Sequence, residues 1–118
     1  VLKSSKEILS GEKLVDAIRM IKNYDVGCVL LNCNPLNRTI DAMNIVANNW
    51  EGMWGVYPNL GIGEPSPDGI INQIYSDEEY ISVIDKSIKL GANILGGCCG
   101  SSIKHIKLIT DYITYDSI

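Results

Sequence analysis

Apolar residues recur at helical spacing in four stretches of this chain and crowd into three short runs between them. Leu14, Ala17, Ile18 and Ile21 mark one face of a first helix, with Ser10 a candidate cap and Glu12 suited to its amino terminus. Residues 26–32 are almost continuously apolar, and a run of that kind predicts a strand covered on both faces, as in a parallel sheet. Pro35 blocks an immediate helix; Leu36, Ile40, Met43 and Ala47 then set the period of the next one, which ends near Asn48-Asn49. Residues 53–57 form a second short strand stopped by Pro58. Ser76-Asp77-Glu78-Glu79 is a capping box, and Tyr80, Ile81, Ile84 and Ile88 form the helix that it starts. Gly91 closes that helix, residues 93–96 give a third strand, and Ile103, Ile106, Ile109 and Ile113 give a last helix. Residues 1–9 show no clear period.

Helices alternating with strands predict right-handed crossovers and a parallel sheet. Three strands are too few for a closed (β/α)8 barrel, so the chain reads either as a small open α/β domain or as part of a larger barrel. Between Pro58 and Ser76 lies a long segment holding three of the four prolines. Structureless loops of that length are uncommon in compact domains and usually carry function. Its stretch Glu64-Pro65-Ser66-Pro67-Asp68-Gly69 reads as a lid or as a solvated turn.

Composition narrows the classes. The chain has 118 residues, one domain's worth at most, and its 46% hydrophobic and 20% charged content suits a packed core. The net charge of −4 and the dispersed lysines argue against nucleic acid as a partner. No apolar run is long enough for a membrane span, and the first residues do not form a signal peptide. A start at Val1 rather than Met reads as a fragment or a processed product. Four cysteines without a secretory signal point to a reducing, cytoplasmic setting, where thiols bind metal or do chemistry.

Three of those cysteines follow strands. Cys33 ends Leu30-Leu31-Asn32-Cys33, and Cys98-Cys99 follow Ile94-Leu95-Gly96-Gly97. Adjacent cysteines on a regular strand point opposite ways, so Cys98 and Cys99 must lie where the backbone bends, as Gly96, Gly97 and Gly100 permit. Three thiolates on Zn²⁺ would leave a fourth tetrahedral position vacant, the mark of a catalytic site. Other readings stand beside this one: a packed or redox-sensitive cysteine pair, or a glycine-rich turn that cradles phosphate. Cys28 reads as a core hydrophobe, His105 as a packing residue rather than a ligand, and Trp50 and Trp54 as packing residues.

The stretch Gly96-Gly97-Cys98-Cys99-Gly100-Ser101-Ser102, followed by Lys104-His105-Ile106, resembles the signature of the homocysteine S-methyltransferase family. Asn32-Cys33, Tyr57-Pro58-Asn59-Leu60-Gly61 and Ser10-Gly11-Glu12 extend the resemblance over essentially the whole chain. Ile103 departs from it, standing where the family usually has proline. The resemblance implies a (β/α)8 TIM barrel of which residues 1–118 form the C-terminal part, about strands 6–8 with their helices. It also implies zinc held by Cys33, Cys98 and Cys99, and methyl transfer from an onium or methylfolate donor to the thiol of homocysteine, giving methionine. The partners so implied are homocysteine, a methyl donor, and the missing N-terminal half of the barrel or a second copy of the chain. The alternative is a non-catalytic zinc- or dithiol-containing fragment that needs another chain to act.

Overall fold

In the computed structural model of the chain, which describes residues 1–116, seven elements follow the expected order. They are α1 (Leu14–Ile21), β1 (Cys28–Pro35), α2 (Leu36–Asn49), β2 (Met53–Asn59), α3 (Asp77–Lys89), β3 (Ile94–Leu95) and α4 (Ile103–Asp116). The strands lie in the order β1-β2-β3, and both pairs are parallel. Each connection between strands runs through a helix, because parallel neighbours require a crossover. No helix among the described residues is long and apolar enough to cross a membrane.

The core lies between the sheet and one layer of helices. Leu31 from β1 and Trp54 and Val56 from β2 meet Leu14 and Ile18 of α1, Ala42, Met43 and Val46 of α2, and Tyr80, Val83 and Ile84 of α3. The opposite sheet face is uncovered. The row Leu30–Gly55–Ile94 lies on it in register, with Leu30 40% and Ile94 38% exposed, and Met53 beside them is 50% exposed. Burial of the strands on both faces, expected from their continuous hydrophobicity, is therefore not what this chain provides by itself. The molecule is a slab of 43 × 39 × 20 Å with 7114 Å² of accessible surface. A compact monomer of this length exposes about 6,300 Å². The excess fits a sheet with one bare face.

Local chemistry sets the boundaries. The Ser76 hydroxyl accepts the Glu79 N–H while the Glu79 carboxylate accepts the Ser76 N–H, so the capping box is complete. Pro35 does not delay α2 but caps it: the helix begins at Leu36, since an N-terminal position needs no N–H and suits the proline φ of −53°. Ser10 does not cap α1. Lys13 occupies that place with no side-chain cap, and the Ser10 hydroxyl donates to the Glu12 carboxylate. The irregular start is pinned by antiparallel bridges, Leu2 with Ile8 and Glu7 with Lys13. The segment after β2 is a hairpin-like excursion rather than a free loop, closed at its base by Ile62 N–H to Gln73 O and Tyr75 N–H to Leu60 O.

Candidate metal centre

Cys33 sits at an irregularity in β1. The β1–β2 register passes from Asn32↔Tyr57 to Pro35↔Asn59, so β1 carries one residue more than its partner. Cys33 takes up that residue at φ +56°, the one non-glycine with positive φ among the described residues. A bulge of this kind re-aims a side chain out of the strand's alternation. Strain in the left-handed region costs on the order of 1 kcal/mol and persists only where neighbours hold it. Here the buried Asn34 side chain accepts the Leu2 N–H at 2.7 Å, and the Thr39 hydroxyl donates to the Asn34 and Pro35 carbonyls at 3.1 and 2.9 Å.

Cys98 and Cys99 lie on the bend after β3, and its backbone is tied to β2 and to the excursion. Gly96 N–H donates to Val56 O at 2.9 Å, Cys98 N–H to Pro58 O at 2.9 Å, and Leu60 N–H to Cys99 O at 2.8 Å. The Ser101 hydroxyl donates to Cys98 O at 2.6 Å and shuts the turn. Gly97 is required by this closure, since a Cβ there would fall 2.7 Å from the Ser101 side chain. Gly100 is required twice over: its φ is +79°, and a Cβ would come within 3.0 Å of Ile74 and 3.3 Å of the Gly61 nitrogen. Tyr80 braces the strand end by donating its hydroxyl to Gly96 O at 2.6 Å. Burial pushes that phenol up to about 12, so it remains a donor at neutral pH.

These two segments bring three thiols together. The Cys33 and Cys99 sulfurs are 3.6 Å apart, those of Cys98 and Cys99 4.0 Å, and all three lie within 4.8 Å of one another. Tetrahedral zinc with Zn–S bonds of ~2.3 Å separates its sulfurs by about 3.8 Å. The residues present thus fit a soft divalent metal in both donor type and spacing. Cys33 and Cys98 are half-buried and Cys99 is exposed, which leaves one side of the cluster open. Burial opposes ionisation of Cys33, but hydrogen bonds from the Cys98 thiol and from the Cys99 backbone and thiol outweigh it and lower its pKa. Burial, with the Cys33 sulfur beside it, pushes the Cys98 thiol up to about 11.

Cys28 lies outside the cluster. It is half-buried at the start of β1 on the bare face, rather than in the core as its mid-run position suggested. Trp54 is a core residue, and Trp50 packs on the core's edge with its indole N–H on Met53 O. His105 is buried against Tyr80. Two supports escaped the sequence reading, the Asn34 side chain and the Tyr80 hydroxyl. Both are polar groups amid apolar neighbours, the signal that could have singled them out.

Parallel βα units that gather three thiols at the carboxyl ends of two strands define an α/β protein with a sulfur-rich centre. The homocysteine S-methyltransferase family matches residues 1–113, and the chain belongs to that family. Homocysteine S-methyltransferase 2 of Arabidopsis thaliana is 27% identical over 111 residues, covering 91% of this chain and 33% of that protein. The selenocysteine methyltransferase of Astragalus bisulcatus is also 27% identical, over 89% of this chain and 32% of its own. The chain thus spans about a third of the length of these relatives. Among solved structures, the apo form of the homocysteine methyltransferase MmuM from Escherichia coli overlays with a TM-score of 0.73 at 21% identity, covering 94% of this chain and 37% of that one. Its metallated form gives the same TM-score at 20% identity, over 94% and 33%. At these identities the overlay speaks for the fold.

Proposed function

We propose that residues 1–118 form the C-terminal part of a homocysteine-binding (β/α)8 barrel, about strands 6–8 with their helices. In this reading Cys33, Cys98 and Cys99 hold zinc for methyl transfer to homocysteine. The observation that carries the reading is the convergence of three sulfurs within 4.8 Å at the carboxyl ends of parallel strands, where barrels place their chemistry. Family membership, the short span relative to the curated proteins and the bare sheet face all agree with it.

When bound, zinc supplies a position that takes up the substrate thiol as a thiolate at neutral pH and fixes its place. The chain's own residues do the rest. Cys33, Cys98 and Cys99 would hold the metal as three anionic ligands, a donor set that would keep a neighbouring substrate sulfur electron-rich, and the exposed side of Cys99 leaves room for that sulfur to approach. The Cys33 bulge and the braced turn 96–102 hold the ligand sulfurs in place before substrate arrives, so little reorganisation accompanies the reaction. The substrate sulfur forms a bond to the methyl carbon while the donor's C–S or C–N bond breaks and its electron pair leaves with the donor. The thiol proton passes to solvent, so the chain need supply no general base. In this reading the attacking atom is the homocysteine thiol sulfur, supported by relatives named as homocysteine and selenocysteine methyltransferases, and the donor is an onium or methylfolate compound. Contacts to the amino-acid end and to the donor fall to the remainder of the barrel.

A second reading, a zinc- or dithiol-containing fragment inactive without another chain, draws on the same bare sheet face. Metal analysis of purified variants tests the shared core of both readings. Cys33→Ala, Cys98→Ala and Cys99→Ala should each lose tight zinc retention while Cys28→Ala keeps it. Full zinc occupancy in Cys99→Ala would remove that residue from the site.

A further inference from the structure

A buried histidine in the first turn of α4 is unused in the mechanism above. His105 is 1% exposed, and its Nδ1 accepts the Ser102 backbone N–H at 3.0 Å. The proton of the neutral ring therefore sits on Nε2, which is buried and has no hydrogen-bond partner among the described residues. The Asp77 carboxylate is 4.0 Å away, beyond hydrogen-bond reach. A buried donor left unmatched is costly, so the ring needs a reason to be there.

The reason lies in what the ring connects. An acceptor three residues into a helix that takes the cap residue's N–H is the half of a capping box ordinarily supplied by Glu or Gln. The ordinary version stands in α3, where Glu79 accepts the Ser76 N–H at 2.9 Å. In α4 an imidazole replaces it, and the imidazole also packs edge-to-face on Tyr80, with ring centroids 5.3 Å apart at 83°. The Tyr80 hydroxyl in turn holds Gly96 O at 2.6 Å. Tyr80 therefore fixes the strand end of turn 96–102 and His105 its helix end, and the two fixing groups rest on each other. Cys98 and Cys99 lie between them.

We propose that His105 and Tyr80 are a pair of positioning residues, a clamp on both ends of turn 96–102 that keeps the Cys98 and Cys99 sulfurs at metal-binding distance from Cys33. The proposal rests on the metal reading of the cluster. Three glycines in seven residues give the turn more freedom than most sequences have, and ordering it on binding would weaken metal affinity. The clamp supplies that order beforehand.

Cobalt(II) titration of the 118-residue chain tests this, followed by sulfur-to-metal charge-transfer absorption and paired with thermal unfolding. His105→Ala should weaken Co²⁺ affinity about tenfold, the low end for groups that orient metal ligands. Its charge-transfer intensity at saturation should match the parent, because all three sulfurs remain. His105→Gln, which restores the acceptor for the Ser102 N–H, should recover most of the loss. Tyr80→Phe, which removes one hydroxyl and keeps the ring, should fold and bind more weakly. A His105→Ala chain that melts earlier but binds Co²⁺ as the parent does would show a residue that only supports α4, and would overturn the clamp. Should His105→Ala fail to fold, parent-like affinity in Tyr80→Phe would overturn it equally. A parent chain that forms no cobalt–thiolate bands would remove the metal reading itself, and the clamp with it.

Discussion

Gly55→Ala offers a sharp test of how the fold delivers its sulfurs. Gly55 is central in the row Leu30–Gly55–Ile94, where β3 rides against β2. A Cβ at that position would lie 2.2 Å from Ile94 O, 2.6 Å from Ile94 Cβ and 2.9 Å from Ile94 C. The nearest of these atoms is backbone, so no side-chain rotation relieves the clash. Ordinary contact begins at 3.4 Å, which requires the strands to part by about 1 Å. The Asn93 N–H to Trp54 O and Gly96 N–H to Val56 O bonds, at 2.8 and 2.9 Å, would stretch or break. Each contributes about 1 kcal/mol net, and overpacking adds about 1–3 kcal/mol. Allowing for overlap, the cost is about 3 kcal/mol. With an unfolding entropy of about 250 cal/mol/K for a chain of this length, that lowers the melting temperature by about 12 °C. Since β3 leads directly into Cys98, zinc retention should fall as well. Gly27→Ala is the matched control, because a Cβ there meets nothing within 4 Å. Thermal unfolding by circular dichroism with zinc titration reads both effects. A Gly55→Ala chain melting within about 2 °C of that control, the range of a neutral surface change, would refute the steric argument.

Ser76→Ala removes half of the α3 capping box and should cost about 1 kcal/mol, read as a fall of about 4 °C in the same unfolding experiment. The isolated chain should show no turnover of homocysteine with any methyl donor, because proximity catalysis needs both reactants held; measurable turnover by residues 1–118 with added zinc would place the donor contacts within this chain. Its bare sheet face and two open strand edges should also drive self-association, visible by sedimentation. A chain that stays a monodisperse monomer as its concentration is raised would instead mark a self-sufficient small domain.

The element order was legible because its punctuation is chemical. Ser76 and Glu79, the terminal Gly91 and the isoleucine periods of α3 and α4 each act locally. The bend at Cys98-Cys99 was legible for the same reason, since glycine is the residue that such turns demand. The bulge at Cys33 was not. Its positive φ belongs to a residue type that gives no such signal, and it is held by Asn34 and Thr39 through contacts set by tertiary structure. The bare sheet face was hidden for a different reason. Leu30, Met53 and Ile94 are apolar whether this chain or another covers them, so a run of hydrophobic residues records a need for burial and not its source. His105 read as packing, and it does pack on Tyr80; its acceptor role at the start of α4 lacked the Glu or Gln that marks a capping box.

X-ray absorption at the zinc edge, on metal-loaded protein before and after homocysteine is added, decides whether Cys33, Cys98 and Cys99 together hold the metal and leave it a position for substrate. The expected result is one zinc per chain with three sulfurs at ~2.3 Å and one lighter ligand, changing to four sulfurs when homocysteine binds. Fewer than three sulfurs in the loaded protein, or zinc bound with no contribution from Cys33, Cys98 and Cys99, would contradict it.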